Sequence, residues 1–98
     1  MSHTTHRLKC LPEFFQPLWN SEKTFEVRRD DRGFRAGDHL MLAEWAEAGG
    51  YTGREITAEV TYLFSGASTL GSLLLPADVV VMALCEVSRS DAQPEARP

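Results

Sequence analysis

The 98-residue chain contains two cysteines, two tryptophans, two tyrosines and three histidines, and each scarcity removes a class of function. Cys10 and Cys85 are too few and too far apart for a disulfide framework. Both fall in apolar-alternating segments, the usual setting of reduced, buried thiols, which predicts a cytoplasmic protein. With no cluster of His and Cys, no metal site is expected. No phosphate-loop or dinucleotide fingerprint occurs either, because GDHL, GGYTG and GAST lack the required spacing. Nucleotide-driven motors and dehydrogenases are thereby excluded, and no cofactor is predicted. Long apolar runs are missing as well. MSHTTHRLKC has no signal-type stretch, and residues 70–85 are interrupted by Pro76 and Asp78, so no membrane segment is expected.

An excess of positive charge is also absent. Ten Lys and Arg stand against fourteen Asp and Glu, a net charge of −4, which argues against nonspecific binding to a polyanion and makes duplex DNA an unexpected partner. The average conceals an asymmetry. Residues 1–40 carry seven basic and six acidic side chains, whereas residues 41–98 carry three and eight, so an anion site belongs to the N-terminal half.

What remains is an ordinary globular composition, 43% hydrophobic and 24% charged, sufficient for one modest core and too small for a two-domain enzyme. HRLKC reads as an opening strand. Pro12 suits an early helical position, and Phe14, Phe15, Leu18 and Trp19 form one apolar stripe on a helix of one to three turns that Pro17 distorts. TFEVRR alternates, which predicts a strand with Phe25 and Val27 on the core face and Thr24, Glu26 and Arg28 on the other. DDRGFRAGD is a tight connection, in which Gly37 and Asp38 serve a turn, leading to a strand in HLMLAEW. ITAEVTYLF predicts a long strand with Ile56, Ala58, Val60, Tyr62 and Phe64 on one face. SGASTLGSLL reads as a loop or single helical turn, and DVVVMALCEV as a last strand that is central or covered on both faces. Residues 1–5 and 89–98 are predicted to be disordered, leaving one α+β domain over residues 6–88. Four or five strands with an early helix fit a small barrel or a curled sheet closed at one end.

HRLKCLPEFF, SEKTFEVRRDDRGFRAGDHLML and YTGRE together resemble a bacterial and phage family of the ASCH group, within the PUA-like superfamily. The resemblance covers roughly residues 6–87, one fold unit. It implies a β-barrel of about five strands with one or two short helices, a cleft beside the first helix, and RNA or a modified nucleoside as ligand. The ASCH signature of glycine, lysine, glutamate and arginine is matched by Lys23, Glu26 and Arg28, with Ser21 in the glycine position. The resemblance also implies that His6 and Lys9 contribute polar groups to the cleft mouth. Some similar ASCH domains hydrolyse acylated cytidine nucleosides with a lysine and a threonine three residues later; here those positions are Lys23 and Glu26.

On chemistry alone, Glu26 suits acceptance from an exocyclic amino group, while Arg28 or Lys23 meets a phosphate or carbonyl oxygen. The competing reading is a solvated salt-bridge face. Arg28, Arg29 and Arg32 surround Asp30 and Asp31, so the run neutralises itself as a turn, with Arg32 best placed to fold back onto a ligand. His6, close to the chain end, is either a polar group of the cleft mouth or an exposed or locally satisfied residue. Tyr51, Thr52 and Arg54 offer a ring to stack on a base, a hydroxyl and a guanidinium, or else form a hairpin loop packed over the barrel end. Glu44 and Trp45 read as a solvated carboxylate and strand-end packing. The leading expectation is therefore a non-catalytic module binding RNA or a nucleotide. Alternatives are a small amidohydrolase with Lys23 and Glu26 as catalytic residues, and a phage or mobile-element protein that grips a host protein; oligomeric state is open.

Overall fold

The computed structural model describes residues 3–91. The chain runs β1 (Thr5–Cys10), α1 (Pro12–Trp19), β2 (Phe25–Arg29), β3 (His39–Ala46), β4 (Gly50–Ser65), a 3₁₀ turn (Gly71–Leu73) and β5 (Val79–Asp91). All five strands form one sheet in the order β1-β3-β4-β5-β2. β1 lies parallel to β3, and every other pairing is antiparallel. The sheet curls into a half-barrel within a small α+β domain, as the strand and helix pattern predicts. Among the described residues, no helix is long and apolar enough to cross a membrane.

The concave face carries the core. Leu8, Phe15, Leu18, Leu40, Leu42, Ile56, Val60, Val80 and Met82 are buried there, in the period-two pattern that strands impose. Helix α1 is two turns long, with Pro12 in its first turn and Pro17 near its end, so little of the helix follows the missing N–H. Its Phe15 and Leu18 close one end of the core.

Three details depart from the sequence pattern. In β4 the register shifts between Val60 and Tyr62, so the alternation changes face: Tyr62 is 64% exposed and Leu63 packs on the core instead. A bulge adds one residue and reverses every side chain beyond it. The predicted disordered ends overlap ordered strands, since Thr5 opens β1 and β5 continues to Asp91. The remainder of those two predictions, residues 1–2 and 92–98, lies outside the described residues. Finally, β2 presents the opposite face to the one its apolar residues suggest. Glu26 stands opposite Met82 and is buried at 3% exposure, while Phe25 and Val27 are 44% and 49% exposed.

Leu42 is fully buried between β1 and β4. Leu42→Ala is expected to lower unfolding free energy by about 2–5 kcal/mol, read as a lower urea midpoint at unchanged m-value.

Candidate functional site

The sheet order leaves β1 and β2 as its two edges, and the chain joins them through α1. A cleft of about 760 Å³ occupies this seam, lined by Lys9 and Cys10 of β1, Leu11, Phe14 and Pro17 at the helix, and Lys23 through β2. Its upper walls are apolar, because Leu11, Phe14, Phe25 and Val27 are all exposed and all line it.

Charge is concentrated at the base of the cleft. Arg28 Nε donates to Glu26 Oε2 at 2.8 Å, and Lys23 Nζ donates to Oε1 at a longer 3.4 Å. The same Arg28 guanidinium also donates through Nη2 to the Lys9 carbonyl at 2.7 Å, so one side chain ties β2 to β1 across the unpaired seam. The Lys23 ammonium lies 5.3 Å from the Phe14 ring centroid and 5.5 Å from that of Phe25, between the two aromatic walls. A glutamate this deeply buried is held by its two cations; without them its desolvation would not be offset. The inversion of β2 thus has a cause: Lys23 and Arg28 make Glu26 acceptable inside the curl, and Phe25 and Val27 turn outward as a result.

A second charged cluster sits beside the first, beneath the other flank of α1. The parallel register places Glu44 next to Cys10, on the concave face. Glu44 accepts from Arg54 Nε at 2.9 Å, from Arg54 Nη2 at 3.0 Å and from the Thr52 hydroxyl at 2.7 Å. Arg54 also donates to Gln16 at 2.8 Å and stacks 4.7 Å from the Trp19 ring centroid. An irregularity in the ladder makes this possible, as β4 advances from Tyr51 to Glu55 while β3 advances only from Ala43 to Trp45. Gly53, at φ 97°, lies within the extra length. The Arg54 hydrogen bond holds the Glu44 carboxyl below its ordinary value, outweighing burial, with the Thr52 hydroxyl assisting. Burial pushes the Cys10 thiol up to about 11, so Cys10 is a protonated thiol at neutral pH and not a nucleophile.

Of the residues singled out from sequence, Lys9, Lys23, Glu26 and Arg28 meet in the cleft. The others lie elsewhere. His6 is buried and its Nε2 bonds Asp38 Oδ2 at 2.9 Å, with its ring edge-on to Phe34. Burial alone would raise the Asp38 carboxyl, but the His6 bond and the Thr4 and Arg35 N–H groups bring it below its ordinary value. This cluster fastens the turn carrying Gly37, at φ 95°, to the N-terminal strand. Arg32 is on the exposed 30–33 turn beside Asp31 and does not line the cleft. Thr52 and Arg54 serve Glu44, and Tyr51 is outside on the convex face. Phe14 and Phe25, which the apolar patterning of α1 and β2 assigns to buried faces, are instead the cleft walls; no spacing in the sequence distinguishes the two uses.

The chain belongs to the family described as "Domain of unknown function (DUF3850)", whose model matches residues 5–89. It is also similar to an Escherichia phage P2 protein described as "Uncharacterized 12.9 kDa protein in GpA 3'region", with 36% identity over 56 residues. That match covers 57% of this chain and 50% of the phage protein, so the chain spans about half the length of the curated relative it matches.

Because the Glu44 carboxyl is depressed in the folded state, its contribution to stability is complete above the unfolded value of about 4.3 and is lost as pH falls through the lower folded value. Glu44→Gln is expected to be less stable than the parent at pH 7 and to show a flatter stability profile between roughly pH 5 and 3, checked by urea midpoints across that range.

Proposed function

We propose that the seam cleft binds a nucleotide or a short single-stranded RNA element, as a binding module of ASCH type in the PUA-like superfamily. One observation carries the reading: a buried glutamate between two cations forms the base of a cleft whose walls are two phenylalanines. For stability alone, apolar residues in place of the whole Lys23–Glu26–Arg28 cluster would often be at least as good. For ligand binding the arrangement is apt. A planar base fits between the apolar walls once the Lys23 ammonium that lies between them swings out to meet a phosphate, which frees Glu26 Oε1, held only at 3.4 Å, to accept from an exocyclic amino group. Ser21 adds support for the ASCH assignment: it adopts φ 64°, the left-handed conformation natural to the glycine of that signature. The acidic remainder of the protein confines binding to this local patch. The reading carries a cytoplasmic setting, which the buried free thiol of Cys10 supports.

The direct Lys23–Glu26 contact within the cleft favours one second reading, an amidohydrolase acting on an acylated nucleoside. There Glu26 activates water, Lys23 supplies positive charge, and Arg28 steadies the developing anion.

Amide-resolved NMR titration with ribonucleosides, mononucleotides and short single-stranded RNA separates these outcomes. For ribonucleosides and mononucleotides the binding module predicts shifts confined to residues 9–14 and 23–29, weakened in Lys23→Gln. Its salt dependence has a log–log slope of about −1, as one or two phosphate contacts require. A well-dispersed spectrum without shifts overturns it. Turnover of acylated nucleosides, abolished in Glu26→Gln, would select the enzyme.

A further inference from the structure

The convex face beside the cleft carries a second feature. On β1 the side chains of Arg7 and Lys9 point away from the core, and each lies over an aromatic ring. The Lys9 ammonium is 4.3 Å from the Trp45 centroid, and the Arg7 guanidinium is 5.1 Å from the Tyr51 centroid. Trp45 and Tyr51 are themselves cross-strand partners on β3 and β4, so the rings are neighbours. Both lie on the face opposite the buried cluster, and Tyr51 is 50% exposed. Lys9 belongs to both places: it lines the cleft and caps Trp45. Lys9, on β1 at the edge of the cleft, is thus the near end of a row of two cation-capped aromatic rings, with the two cations about 7 Å apart along the strand.

We propose that this row is a track for a single-stranded oligonucleotide, continuing from the nucleotide held in the cleft over Trp45 and then Tyr51. The inference rests on the nucleotide-binding reading of the cleft and extends it from one residue to a strand. Each ring carries a cation over one face, so a base can take the ring while the displaced ammonium or guanidinium turns to the adjacent phosphate. The Arg7–Glu55 pair on this face is solvent-exposed and exchanges readily. Stacking on π-faces tolerates any base, so sequence preference resides in the cleft and length preference in the track. The sequence marks Tyr51 as a stacking ring but reads Trp45 as strand-end packing; only the strand order β1-β3-β4 brings Arg7 and Lys9 over the two rings.

The test compares a nucleoside monophosphate with labelled single-stranded RNA hexamers and their DNA equivalents, using the full chain. Affinity is read by anisotropy, and stacking by the Trp45 indole N–H resonance. Hexamers should bind at least about tenfold more tightly than the monophosphate, and Tyr51→Ala and Arg7→Gln should each remove much of that gain. The Trp45 signal should move with the hexamer only. Equal affinity for monophosphate and hexamer, with cleft shifts intact, overturns the track and leaves the cleft reading standing. Hexamer binding that depends on Tyr51 and Arg7 but not on Lys23 supports the track and overturns the cleft reading. No binding of any of these probes overturns both. Parent-like urea midpoints for the two variants confirm that any loss is one of contact.

Discussion

The Arg28 guanidinium holds this architecture at its weakest line. A curled sheet of five strands ends in two edges, and here the edges face each other without a backbone ladder between them. Arg28 bridges that gap by donating to the Lys9 carbonyl of one edge and to the buried Glu26 of its own strand. The planar fork of a guanidinium can meet a carboxylate and a peptide oxygen at once; an ammonium has no such fixed geometry. The opening thus persists as a shaped cleft, with its floor polar and its edges in register.

Around that bridge, the two charge clusters divide the work. The Glu44–Arg54 group is saturated internally: both carboxylate oxygens, the Thr52 hydroxyl and the Gln16 carbonyl are engaged, and the guanidinium is stacked on Trp19. It anchors the flank of α1 that faces the sheet. Arg89 does the same at the C-terminal end of the helix, donating to the Trp19 carbonyl and to Ser21. The Glu26 group has one oxygen held only at 3.4 Å, by the Lys23 ammonium that sits between the two rings of the cleft. A helix fixed on one side gives the other side a rigid wall, which is what a binding cleft needs from so small a domain.

Much of this was readable from the residues. The strands, the early helix and the half-barrel follow from period-two runs separated by glycine-rich connections, whereas Lys9, Lys23, Glu26 and Arg28 are picked out by the resemblance to the ASCH pattern, since charge and spacing alone equally fit a solvated salt-bridge face. The facing of β2 did not, because alternation gives two equivalent faces and only the Glu26–Met82 register, together with paired cations, decides between them. Nor did the role of Arg54. Its partner Glu44 is brought to it by an irregularity in the β3–β4 ladder, and a ladder irregularity has no reliable signature in composition. His6 shows the same limit, since its partner Asp38 lies 32 positions away.

The pairing scheme also sets an order of assembly during synthesis. β1 has no strand partner until β3 exists, and β2 waits for β5, with Phe25 set against Ala83. One bank of the cleft, β1, can pair once β3 is made, but the other, β2, waits for β5, so Arg28 and Arg29 have no ladder partner until the last strand of the sheet exists. Non-local pairing of this kind slows folding, and here it makes the closing of the seam a late event of folding, not a property of the first half of the chain.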